Sequence, residues 1–158
     1  MEKAKLAVVR VKGDFGISAD IRMTFRLLRL YKKNYCVVLT LRPEVVGMIQ
    51  KLKDHVTFGE LDKDIFVKLL RARGKIAGDK QLTEDYLKAK ASADLVKFAE
   101  EFYELKKDLK DVPGLKPFFR LKPPIGGFER AGIKHSYAQG GALGYRGKDI
   151  NKLIVRMM

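Results

Sequence analysis

The chain has 158 residues, with 33 Lys and Arg against 19 Asp and Glu and a net charge of +14. A hydrophobic fraction of 46% excludes wholesale disorder, and no apolar run approaches the roughly 18 residues that a membrane span requires. One Cys and two His exclude an intramolecular disulfide and a Cys/His metal cage. Met1–Val11 lacks the unbroken apolar stretch of an export signal, so a reduced, cytoplasmic chain is expected, forming one modest domain or a small domain with an extension. The basic excess is uneven: Met1–Glu60 holds 12 basic and 6 acidic residues, Leu61–Lys110 holds 12 and 10, and Asp111–Met158 holds 9 and 3. Two flanks of +6 around a nearly balanced middle suit a polyanion. The competing reading, the solvated surface of a lysine-rich thermophile protein, draws support from only five Asn and Gln in the chain.

Leu6–Val11 is apolar and β-branched and closes on Lys12-Gly13-Asp14, which predicts a buried first strand. Ser18 caps a predicted helix through Ile21, Phe25, Leu27 and Leu28 to Leu30, with Asn34 as a left-handed stop. Tyr35–Leu39 is a second strand that buries Cys36 as a small hydrophobe. Arg42-Pro43 opens a second helix on Val45, Val46, Met48, Ile49 and Leu52, and Gly47 inside it points to close packing or the approach of another backbone. Val56 and Phe58 alternate as a third strand, which completes β-α-β-α-β. Two right-handed crossovers would set both helices on one side of the sheet and leave its other face to the rest of the chain.

That remainder begins with a helix capped by Asp62 and ended at Gly74. Another helix is capped by Thr83, with Leu82 and Leu87 spaced as a hydrophobic staple. Ser92 restarts the chain into a helix whose Leu95, Phe98, Phe102, Leu105 and Leu109 form a packing stripe. Beyond Asp111 lie 8 of the 14 Gly and 4 of the 5 Pro. Phe118–Leu121 reads there as a strand, and Ile150, Leu153, Ile154 and Met157 form one face of a terminal helix, with a long loop between.

Arg22, Arg26, Arg29 and Lys33 recur at 4-3-4 spacing, which on a helix gathers them into one stripe with no acidic residue among them. Aligned guanidiniums bond phosphate oxygens in pairs. The loop combines Gly126-Gly127, Gly140-Gly141, Gly144 and Gly147 with Arg130, Lys134, His135, Tyr137, Tyr145 and Arg146. Glycines let a backbone approach phosphates and aromatics stack on unpaired bases, so Ile125–Gly147 is expected to be mobile until RNA neutralises it. Gln139–Gly147 lacks Gly-Lys-Ser/Thr and does not complete G-x-G-x-x-G, which argues against a nucleotide cofactor or small-molecule substrate. Ser136 beside His135 gains no oriented carboxylate, and the acids of the middle region read as solubility charges; no catalytic residue is assigned.

Several stretches together resemble the universal large-subunit ribosomal protein family called L-thirty in bacteria and L-seven in eukaryotes. Arg26-Leu27-Leu28-Arg29-Leu30, Asn34, Cys36-Val37-Val38 and Gly47–Asp54 resemble its first helix, second strand and second helix. Asp111–Pro117, Pro123-Pro124, Ile133-Lys134-His135, Gly140–Gly144 and Ile150–Ile154 resemble its extended archaeal and eukaryotic branch, and the lack of a long basic N-terminal arm favours the archaeal form. Arg42 stands where members commonly have Thr, and Ile125 where Arg is expected, so no RNA contact is assigned to Ile125. The resemblance implies an α+β, ferredoxin-like core over residues 1–60 and a helical, Gly/Pro-rich extension over 61–158. It also implies a structural, non-enzymatic role in the large ribosomal subunit, with rRNA and neighbouring ribosomal proteins as partners and no cofactor. Candidate RNA-binding residues are Arg22, Arg26, Arg29, Lys32, Lys33, Arg42, Lys51, Arg120, Lys122, Arg130, Lys134, His135, Tyr145 and Arg146. A free-standing RNA-binding regulator or chaperone is the alternative from another class, and an enzyme using the glycine loop for a nucleotide is a third. An RNA-recognition motif is disfavoured, because Leu6–Val11 carries no aromatic stacking residue.

Overall fold

The computed structural model describes residues 4–158, and in it the first sixty residues follow the expected order: β1 (Lys5–Arg10), α1 (Ala19–Leu27), β2 (Tyr35–Thr40), α2 (Pro43–Leu52) and β3 (Val56–Glu60). The extension adds α3 (Lys63–Arg73), α4 (Glu84–Ala91), α5 (Leu95–Tyr103), β4 (Phe119–Arg120), β5 (Gly144–Tyr145) and α6 (Ile150–Met157). The result is a mixed α/β fold on one five-stranded sheet, ordered β4-β2-β1-β3-β5. Two helix starts carry the side-chain caps the sequence implies: Ser18 Oγ accepts from Ile21 N at 3.3 Å and Thr83 Oγ1 from Tyr86 N at 3.3 Å. Leu82 and Leu87 are both buried, as a staple requires.

Every residue of β1 is buried because both faces of the central strand are covered. Leu6 and Val8 pack with Phe25 and Leu28, at the end of α1, and with Ile49 and Leu52 of α2. On the other face, Ala7 and Val9 join Cys36 and Val38 against Phe66, Phe98 and Phe102 from α3 and α5 and Leu153 and Ile154 from α6. Strict alternation thus feeds two hydrophobic layers, and no face of the sheet is left as an open platform. Burial pushes the Cys36 thiol up to about 12, in keeping with a packing role.

Only one of the two expected crossovers exists. β1 is antiparallel to both β2 and β3, so β1 and β2 are not linked as a parallel unit. The chain doubles back after α1 and Asn34 N donates to Arg10 O at 2.8 Å, so β2 starts where β1 ends. β2 and β3 therefore run parallel on either side of β1, and α2 alone crosses over. Local periodicity carries no information on which end of a strand the next one joins.

The first helix is also shorter than its periodicity suggests. Leu30 N donates to Phe25 O (2.9 Å) and Arg29 N to Arg26 O (3.1 Å), the paired bonds of a Schellman stop, with Arg29 at φ 61° in the position glycine usually fills. Leu28 and Leu30 are both buried, and two residues about 200° apart on a helix cannot enter the same core. The left-handed turn at Arg29 resolves that conflict. Asn34 is left-handed as well, at φ 67°, but it turns the chain into β2 rather than ending the helix. Ser92 likewise ends α4 at φ 53°, and α5 begins after Asp94.

Gly47 is a further correction, since a Cβ built there would meet nothing within 4 Å. No close packing explains it. Gly47→Ala is expected to stabilise the protein by about 1 kcal/mol through helix propensity, read as a higher midpoint in urea; a destabilised variant would mean that the helix needs glycine's backbone freedom.

Candidate nucleic-acid interface

The sheet register decides which basic residues meet. β1 ends at Arg10 beside the starts of β2 and β3, where Val11 N and Lys12 N both donate to His55 O (3.0 and 3.1 Å). Leu121 N donates to Asn34 O at 3.2 Å, so Lys122 emerges beside the Lys32-Lys33 turn. Val11 packs with Ala142 and Leu143 of the glycine-rich loop, which brings exposed Arg130, Lys134 and His135 to this same end of the sheet. Exposed Arg22 and Arg26 border it through a groove of about 340 Å³ that they line with Arg10, Asp14 and Tyr31.

The remaining candidates go elsewhere. Because the helix stops early, Arg29 leaves the stripe and lines a separate cleft with Arg42 and Lys110 at the outer side of β2. Arg42 precedes α2 without capping it, at the opposite end of the sheet from Lys32 and Lys33. Lys51 Nζ reaches Asp20 at 2.6 Å, and Arg120 Nη1 reaches Asp79 at 2.8 Å. Hydrogen bonds from Lys116 and Arg120 hold the Asp79 carboxyl below the usual range. Tyr145 sits on β5 with its ring exposed, but its hydroxyl donates to Glu60.

Arg146 is the clearest correction. Its side chain is 2% exposed, out of reach of a phosphate. Nε donates to Thr57 Oγ1 (2.7 Å), Nη1 to Glu129 Oε1 (2.7 Å), and Nη2 to Glu129 Oε2 (3.2 Å) and Ala142 O (2.9 Å). The guanidinium also lies 4.7 Å from the Tyr137 ring centroid. This fork ties β3 to two points of the loop, Glu129 and Ala142. Backbone bonds support it, with Gly141 N to Ser136 O at 2.8 Å and Tyr137 N to Leu143 O at 2.7 Å, and a short 3-10 turn forms at Tyr137–Gln139. The loop thus has a folded arrangement with internal bonds of its own, and amide hydrogen exchange on the free protein measures how far it holds without RNA.

Arg10 plays a matching role at the end of β1. It is 1% exposed, with Nη1 on Leu30 O (2.8 Å), Nε on Lys12 O (2.9 Å) and Nη2 on Asp14 Oδ1 (2.6 Å), and it stacks 3.9 Å from the Phe25 ring centroid. The bond from Arg10 keeps the Asp14 carboxyl below its ordinary value. Sequence reading passed over Arg10, Phe15 and Tyr31; a charged residue closing an apolar strand was the available signal for the first, and nothing local marked the other two.

Among the described residues no group of three or more His, Cys, Asp or Glu could hold a metal ion, and no helix is long and apolar enough to cross a membrane. The family model described as ribosomal protein L30p/L7e matches residues 6–56. The chain is 47% identical over 149 residues to large ribosomal subunit protein uL30 of Methanopyrus kandleri, covering 94% of this chain and 100% of that one. It is 46% identical to the protein of that name from Methanococcus vannielii (96% and 98% covered) and 44% identical to that from Nanoarchaeum equitans (97% and 98%).

Proposed function

From the premise that this chain belongs to the ribosomal protein L30p/L7e family, we propose that it is a structural constituent of the large ribosomal subunit in the cytoplasm, where it binds and stabilises large-subunit rRNA. The observation that carries this reading is the likeness to large-subunit proteins along nearly the whole chain, joined to the end of the sheet where sequence-distant cations converge. On this reading residues 1–60 form the rRNA-binding core, and residues 61–158 brace it and present the glycine-rich loop. Arg22, Arg26, Lys32, Lys33, Lys122, Arg130, Lys134 and His135 are the phosphate-facing set, with Arg29 and Arg42 forming a second contact. Neighbouring ribosomal proteins complete its surroundings, and the role involves no chemistry.

Phosphate contacts release counterions, so log affinity for large-subunit rRNA fragments is expected to fall linearly with log salt, by about 0.7 to 0.9 per phosphate neutralised. The Arg22→Gln, Arg26→Gln double variant should melt as cooperatively as the parent while its salt slope becomes shallower by about 1.5. A salt-independent affinity would contradict phosphate binding, and loss of cooperative melting would make the two arginines structural. Co-sedimentation with large subunits through a high-salt wash separates this role from that of a free-standing RNA binder.

A further inference from the structure

Phe15 is 103% exposed, the largest exposure of any bulky apolar residue in the described chain, although Phe is a residue type usually found inside. It is not simply a loose loop residue. Asp14 on one side is tied to Arg10 at 2.6 Å, and Ile17, two residues on, packs against the core cluster of β1, α1 and α2. Gly16 at φ 70° makes the turn between them. Anchors on both sides thus hold the ring out in water, one residue along the chain from Asp14, which lines a groove with Arg22 and Arg26.

That groove has a distinctive chemistry. Its lining includes the Arg10 guanidinium stacked on Phe25, a planar cation that makes three hydrogen bonds within the protein. Its walls carry Arg22 and Arg26, which are exposed and have no ion pair among the described residues. Tyr31 also lines it, 44% exposed and braced edge-on against Phe118 at 5.6 Å. At about 340 Å³ the groove falls in the size range of clefts that take small ligands. Exposed aromatics beside paired cations fit a nucleotide whose base is free to stack and whose phosphates lie on the arginines, the combination that single-strand binders use. A base inside a duplex has both faces occupied and offers Phe15 nothing. The faces of the central strands are covered and the exposed Tyr145 on β5 is tied to Glu60 through its hydroxyl, so the Phe15 loop supplies a free aromatic beside the arginines.

We propose that the groove lined by Arg22, Arg26 and Tyr31, together with the adjoining Phe15, is a binding site for an unpaired nucleotide of RNA, with the base stacked on Phe15 and the flanking phosphates on Arg22 and Arg26. This deepens the rRNA-binding reading and rests on it. The chain contains no Trp, so Phe15→Trp places a single reporter indole at the site. Titrated with a single-stranded adenine decamer, the indole emission should be quenched, whereas a twelve-base-pair RNA duplex should bind without quenching it. Phe15→Ala should lose about tenfold in affinity for the decamer, within the range measured for removing one stacking aromatic, and nothing for the duplex. Both substitutions sit on a solvent-exposed ring, and unchanged melting temperatures establish that the fold is retained. If labelled RNAs of both kinds bind with no change in emission, the stacking site is overturned while rRNA binding stands. If neither RNA binds, both readings fail together. Quenching only on addition of RNA-free large-subunit proteins would overturn the site in favour of a protein neighbour.

Discussion

Replacing Arg146 by Ala is expected to destabilise the protein by about 3–5 kcal/mol, the effect of leaving one half of a buried ion pair without its partner. The substitution strips donors from Thr57, Glu129 and the Ala142 carbonyl at once, and Glu129 is itself mostly covered, with 23% of its side chain exposed. Arg146→Lys should recover little of the loss, because an ammonium cannot supply the fork that reaches strand, loop and carboxylate together. Urea unfolding measures the effect, and a change below about 1 kcal/mol would mean the loop stands without the fork. Acid titration gives a second readout. Burial pushes the Glu129 carboxyl up, but the hydrogen bond from Arg146, a backbone hydrogen bond and the charges of Arg146 and Arg156 together outweigh this and hold it below its ordinary 4.5. A carboxyl lowered on folding contributes stability that is fully present above its unfolded value and is lost as pH falls through the folded one. The parent should therefore shed this contribution below about pH 4.5, and Arg146→Ala should show no such loss.

Gly59→Ala is the second large effect. Gly59 lies opposite Ala7 in the β1–β3 register, and a Cβ placed on it would stand 2.0 Å from Gly147 O and 3.1 Å from Ile150 Cβ. Two small residues side by side let the turn before α6 rest directly on the sheet. A backbone carbonyl cannot swing aside as a long side chain can, so one methyl group has to push the terminal segment off β3. The expected loss is about 3 kcal/mol, at the upper end for overpacking a tight core, with faster hydrogen exchange at Arg146 N, whose bond to Phe58 O (2.9 Å) lies next to the displaced turn. A variant as stable as the parent would show that the turn has room to retreat.

The starts of α1 and α4 and the positions of β1 and β2 were legible because their causes are local, whereas β5 lay within what reads as a loop. Ser18 and Thr83 cap through a hydroxyl three residues from its donor, and β1 and β2 announce themselves as apolar runs. What escaped depends on partners distant in the chain. The end of α1 is set by the need to bury Leu30, and the residue that makes the left-handed turn is Arg29, a type that rarely signals one. Arg146 and Arg130 look alike in sequence, both basic residues amid glycines; only the arrival of Thr57 and Glu129 separates a buried brace from a solvent-facing cation. The stripe of four cations dissolved for the same reason: two stayed on the helix, and burial of an apolar residue between the others redirected them. Phe15 carried no periodic signal, since its role comes from the anchoring of its neighbours.

The two outer strands have a kinetic consequence. β4 and β5, each two residues long, occupy the free edges of β2 and β3, and the Thr57–Gly144 and Arg146–Thr57 bonds join residues 87 and 89 positions apart. Closing loops of that length precedes any gain from the contacts they make, so the docking of β5 is expected to be a slow step. Until the closure happens, both edges of the three-stranded core present unpaired amides and carbonyls, the template for strand addition between copies. The last segments to dock are therefore also the guards against self-association, and the time between collapse of the core and arrival of β5 is the interval in which molecules of this protein are most prone to stick to one another.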